Sequence, residues 1–222
     1  MVVLALCLIG MWEASLTAPC NAEGSIRGSA LVGPPETDDW FCSQPFTYEN
    51  LQNGIGFSQN YNWMVADDYY VTTPHQGFTM MLWAIYNYSA PDDFLVQIRS
   101  DNPTGGPGPV VYTGEPDQVH HEETGYSHWG YSLWCTEIDL YMYYPPGKNW
   151  LALQALSTGA SYWLSADQQW SDMSYFSNNN GATWTSSEEE FGAPYEQFIV
   201  LSGWPLALER GSWGGIKALF HQ

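Results

Sequence analysis

Between positions 131 and 140 the chain reads as a strand. Ser132, Trp134, Thr136, Ile138 and Leu140 fall on one side, and Tyr131, Leu133, Cys135, Glu137 and Asp139 on the other. Neither side is purely polar, which suits a strand whose outer face is partly covered. Further β-rich runs span 68–73, 77–88, 94–100, 109–113, 149–156, 161–166 and 195–202, with turn clusters between them. The segment Asp101-Asn102-Pro103-Thr104-Gly105-Gly106-Pro107-Gly108 is dense in residues that accept positive φ or fix φ, so it predicts a tight connection between two strands. It has no lysine and opens no helix, so it is not a phosphate-binding loop. Apolar recurrence at helical spacing is absent beyond the first segment. The pattern predicts an all-β fold, an antiparallel β-sandwich of jelly-roll-like type with little helix. A chain of 222 residues suits one such domain, which we place at 38–203, with a linker at 23–37 and a tail at 204–222.

Composition narrows the partners. Aromatic residues make up 16% and charged residues only 13%, about half the usual charged share, and the net charge is −19. Between Asp38 and Gly203 the only basic residues are Arg99 and Lys148. A polyanion would find almost nothing to neutralise its phosphates, which argues against nucleic acid as a partner. The same field disfavours anionic membranes and leaves cations or neutral ligands such as sugars.

The opening MVVLALCLIGMWEASLTAPCNA has an apolar core from Val2 to Trp12 and ends in Cys20-Asn21-Ala22. It reads as a signal peptide over 1–22 and places the protein outside the cell. That core is shorter than the roughly 20 apolar residues of a membrane span, so no transmembrane segment is expected. Cleavage near Ala22 would leave Cys42 and Cys135, which predict a disulfide in an oxidising compartment.

Several motifs recur in an ordered series. They are Val65-Ala66-Asp67-Asp68-Tyr69, then Ile98-Arg99-Ser100-Asp101-Asn102 with its Gly/Pro turn, Val110-Val111-Tyr112-Thr113-Gly114, Tyr162-Trp163-Leu164 and Phe198-Ile199-Val200-Leu201-Ser202-Gly203. The array resembles a group of uncharacterised bacterial secreted β-sandwich domains carrying "ADDF", "I-x-x-D-N-x-G-x-P-G" and "Y-W-L" strand signatures. The resemblance covers about Asn62 to Gly203 and implies export and a jelly-roll-like sandwich. It carries over no active site. Asn149-Trp150-Leu151 stands where that group commonly has a tyrosine-tryptophan pair, and the tail has neither the hydrophobic span nor the basic cluster of a sorting tag.

Three constellations could carry chemistry. His120-His121-Glu122-Glu123 combines imidazoles and carboxylates suited to a transition metal, although in a strand adjacent members face opposite ways. Three aspartate pairs, Asp38-Asp39, Asp67-Asp68 and Asp92-Asp93, fall at apparent strand entries and offer the hard oxygens that calcium takes, to which Asp101 and Asn102 could add; turn capping by Asp is the plainer reading. Of the 12 tryptophans, Trp129, Trp134, Trp163, Trp170 and Trp184 could form stacking surfaces for a glycan, against the alternative of core packing. No GxSxG elbow or HExxH pair is present, and Glu188-Glu189-Glu190 reads as a solvated loop. The expected function is therefore a secreted, noncatalytic binding module for carbohydrate or another cell-surface component, with calcium as a stabilising ion. Two readings stand beside it: a self-associating structural or adhesive component of an extracellular layer or filament, and a metal-dependent or glycoside-cleaving enzyme.

Overall fold

The computed structural model describes residues 40–44, 51–166 and 172–206. The signal-like segment, the linker, Trp170 and the tail beyond Leu206 lie outside the described residues.

Among the described residues, fourteen strands form two antiparallel sheets. One sheet contains β1 (Trp40–Gln44), β2 (Leu51–Gly56), β4 (His75–Tyr86), β7 (Gln118–His128), β8 (Tyr131–Tyr144), β10 (Ser161–Ala166), β13 (Glu196–Gln197) and β14 (Ile199–Pro205). The long β4 is its spine. One edge of β4 pairs with β8, and the other is shared by β14 along one part and β10 along another. The second sheet runs β12 (Thr185–Ser186), β11 (Tyr175–Ser177), β3 (Met64–Val71), β9 (Gly147–Ala155), β5 (Phe94–Asp101), β6 (Pro107–Gly114). A five-residue helix, α1 (Ser187–Phe191), is the one α-helix among the described residues.

Alternation explains why the sheets stack. From the first sheet Met80, Leu82, Ile138, Leu140, Trp163, Ile199 and Leu201 point inward, and from the second Val65, Val96, Ile98, Leu151 and Leu153 meet them in one buried cluster. The inward parity expected for Trp134, Ile138 and Leu140 is observed, and Leu133 and Cys135 face outward into a second cluster with Trp83, Leu164 and Phe198. The outer face of the second sheet is covered too, where Trp150 and Ala152 lie beneath Tyr175 and Trp184. An all-β sandwich with both outer faces partly covered is therefore what the alternation predicts and what the chain builds.

The 101–108 segment joins β5 to β6 as expected. Gly105 and Gly106 adopt φ of +98° and +78°, and the Tyr175 ring packs so closely on Gly106 that a Cβ there would sit 2.6 Å from it. Glycine is required at that position for both reasons.

Two expectations need correction. The Cys42–Cys135 disulfide is not formed: β14 and β4 lie between β1 and β8. Three strand spacings amount to about 14 Å, twice the roughly 7 Å that a disulfide tolerates between Cα atoms. The His120–Glu123 segment lies in a full edge strand, 118–128, paired with β8. Glu188, Glu189 and Glu190 form the exposed first turn of α1, where Ser186 Oγ accepts from the Glu189 N–H at 3.2 Å. Acidic residues at a capped helix start oppose the positive end of the backbone dipole.

Candidate functional site

The β7–β8 connection is a two-residue turn between His128 and Tyr131, and both central residues, Trp129 (φ 53°) and Gly130 (φ 82°), are left-handed. This is the type I′ pattern, for which Asn-Gly is the favoured sequence. A bulky tryptophan there costs about 1 kcal/mol. Trp129 is nonetheless 52% exposed, so that cost is not recovered by burial.

Around Trp129 the rings form a continuous row. Trp129 meets Tyr162 edge-on at 5.9 Å, Tyr162 meets Trp63 at 6.4 Å, and Trp63 stacks on Tyr61 at 4.5 Å. His128 lies 4.6 Å from the Trp129 ring at the other end. Tyr61 and Tyr131 are each 45% exposed. Tyr162 has its hydroxyl pKa raised, first by burial and then by Tyr61 and Tyr131, which places all three together.

Strand β2 makes room for this row. Gly56 pairs with Tyr162 and Gly54 with Leu164 on β10. A Cβ on Gly56 would sit 2.4 Å from Trp63, and one on Gly54 3.5 Å from Trp129. The rings therefore lie over bare backbone, which a side chain at Gly56 would displace. Exposed Asn60, Asn62 and Asn180 border the Tyr61 end and supply amide donors and acceptors. Burial lowers the pKa of His128, so the row carries no charge at neutral pH. The arrangement can stack on the flat apolar face of a neutral ligand and hydrogen-bond its rim.

Of the tryptophans expected from sequence that lie among the described residues, Trp129 alone belongs to this surface. Trp163 is fully buried and donates Nε1 to the Phe198 carbonyl at 2.9 Å. Trp134 packs against the inter-sheet core beside His121, and Trp184 lies under Arg99, whose guanidinium is 5.2 Å from its ring. Tyr61, Trp63 and Tyr162 were missed. The glycines at alternate positions of Asn53-Gly54-Ile55-Gly56 were the available signal, since bare backbone on one strand face leaves space for rings.

The metal candidates separate. His120 and His121 point to opposite sides of β7: His120 reaches Gln118, and His121 sits between Thr136 Oγ1 at 2.9 Å and the Pro91 carbonyl at 2.8 Å. They form no paired site. Burial lowers the pKa of His121 more than its contacts with Pro91 and Asp92 raise it. A depressed imidazole pKa leaves stability intact above the unfolded value of about 6.5 and removes it as pH falls below that value. Urea midpoints measured from pH 7.5 to 5.5 should fall on the acid side for the wild type, and less steeply for His121→Gln.

Asp101 accepts from Trp150 Nε1 at 2.9 Å and lies 3.8 Å from Lys148. Asp67 and Asp68 sit inside β3 and not at its start, and their carboxylates converge with that of Glu196, all within 4.8 Å of one another. All three are buried. Asp67 has its pKa raised, first by burial and then by Glu196 and Asp68.

No protein-family model matches the chain, and no curated protein is significantly similar to it.

Proposed function

We propose that this protein is an extracellular, noncatalytic carbohydrate-binding domain that lays Tyr61, Trp63, Tyr162 and Trp129 against the rings of a neutral glycan. The observation that carries this reading is Trp129. For a tryptophan held half-exposed in a left-handed turn position, the backbone strain offsets its ring contacts with Tyr162 and His128, so the fold gains little over an asparagine, whereas a ligand would gain the exposed part of the ring. The acidic surface and the uncharged row favour a neutral ligand over a polyanion. Native gel electrophoresis through soluble neutral polysaccharides tests it: at least one polysaccharide should retard the wild type, and retardation should persist in high salt because stacking is not screened. Uniform migration through every polysaccharide would reject the reading.

A self-associating surface component is the second reading, favoured by a different observation. Strand β6 is an edge of its sheet and exposes Val110, Val111 and Tyr112. Such an edge invites pairing with another chain. Light scattering after size exclusion separates the two, since the binding-domain reading expects a monomer at micromolar concentration and the surface-component reading expects higher species.

A further inference from the structure

An exposed amide at the Tyr61 end of the aromatic row has its polarity set from the interior. Asn62 stands between Tyr61 and Trp63 in the chain, and the rings of those two residues stack at 4.5 Å. The Trp63 carbonyl can only accept, so the Gln154 atom 3.1 Å from it is the donor Nε2. Gln154 is buried, and the same Nε2 lies 2.7 Å from the Asn180 side chain, which must therefore offer it Oδ1. That choice turns Asn180 Nδ2 toward Asn62, where it donates to Oδ1 at 3.1 Å. The other end of the Asn62 amide is then Nδ2, with two N–H groups.

The backbone holds this line of amides in place. Asn62 and Asn180 both have left-handed φ, 59° and 58°, and the Asn180 N–H donates to the Asn62 carbonyl at 2.9 Å. Asparagine is among the few residues that accept such a conformation readily. Asn62 is exposed, and water satisfies either end of an exposed amide, so solvation alone asks for no fixed orientation. What the relay from the Trp63 carbonyl fixes is the sign of the group offered beside the Tyr61–Trp63 stack. It is a donor.

We propose that Asn62 is the specificity-determining residue of the glycan surface, and that it selects an N-acetylamino sugar by donating from Nδ2 to the acetamido carbonyl. The selection rests on the glycan reading and names its ligand class. A sugar hydroxyl rotates to donate or to accept, so a fixed donor does not discriminate among hydroxyls. An acetamido carbonyl only accepts. The sugar that bears it stays neutral, as the acidic surface favours, and its methyl group brings additional apolar area to a surface built of rings. Asn180 and Gln154 are positioning residues that act through Asn62.

Tryptophan fluorescence of the full chain, titrated with tri-N-acetylchitotriose and separately with cellotriose, tests it, because the two trisaccharides differ only in acetamido against hydroxyl. The wild type should bind the first about tenfold more tightly. Asn180→Asp keeps one oxygen toward Gln154 and places the other toward Asn62, whose amide then turns its own oxygen outward. The preference should disappear in that variant while the urea midpoint holds. Asn62→Gly retains the left-handed backbone, removes the amide and should abolish the preference as well. Equal affinity for the two sugars in the wild type would overturn the selection, and so would a preference that survives Asn62→Gly. Should Asn180→Asp fail to fold, Asn62→Gly decides. No binding of either trisaccharide by a protein that a neutral polysaccharide still retards would overturn the selection and leave the glycan reading standing. A wild type that no polysaccharide retards removes both.

Discussion

Trp163→Ala should destabilise the protein by about 3 to 5 kcal/mol. The indole is fully buried between the sheets, 6.3 Å from the Phe57 ring, and satisfies the Phe198 carbonyl. Truncation removes the apolar burial, leaves a cavity that rigid paired strands cannot close, and removes the indole donor to the Phe198 carbonyl. Urea unfolding should show the midpoint falling with the slope unchanged. A loss under 1 kcal/mol would mean that the residue is not the inter-sheet anchor described.

Trp129→Asn should behave in the opposite way, losing ligand and keeping the fold. Asparagine accepts the left-handed conformation that costs tryptophan about 1 kcal/mol. Against that gain stand the lost contacts with Tyr162 and His128, worth about 0.5 to 1.5 kcal/mol together. The two effects offset, so stability should move by no more than about 1 kcal/mol. Glycan affinity should fall more than tenfold, because a tenfold loss corresponds to only about 1.4 kcal/mol and a central aromatic anchor is commonly worth more. A variant that unfolds as readily as Trp163→Ala would assign Trp129 to packing.

This contrast also shows where sequence reading succeeds. The alternation of Trp134, Ile138 and Leu140 against Leu133 and Cys135 is local, and the strand keeps it, so fold class follows from it. Which tryptophan is exposed is not local. Trp163 and Tyr162 are neighbours on one strand, yet one faces the core and the other the aromatic row, and only the position of β2 and of the β7–β8 turn decides what covers each. Glu196 was invisible as a partner of Asp67 for the same reason, since 129 positions separate them in the chain and the contact exists only once two sheets stack. The disulfide expectation failed because an even cysteine count carries no information about strand order. Strand β7 was obscured by its polar residues, which an edge strand tolerates and a central strand would not.

The most direct test of the binding surface is tryptophan fluorescence titrated with oligosaccharides of a retarding neutral polysaccharide, run on the wild type and on Trp129→Asn together. A saturable change in the wild type, weakened more than tenfold in a variant of unchanged urea midpoint, is the predicted result. Equal affinity in the two proteins, or no saturable change in the wild type, would contradict it.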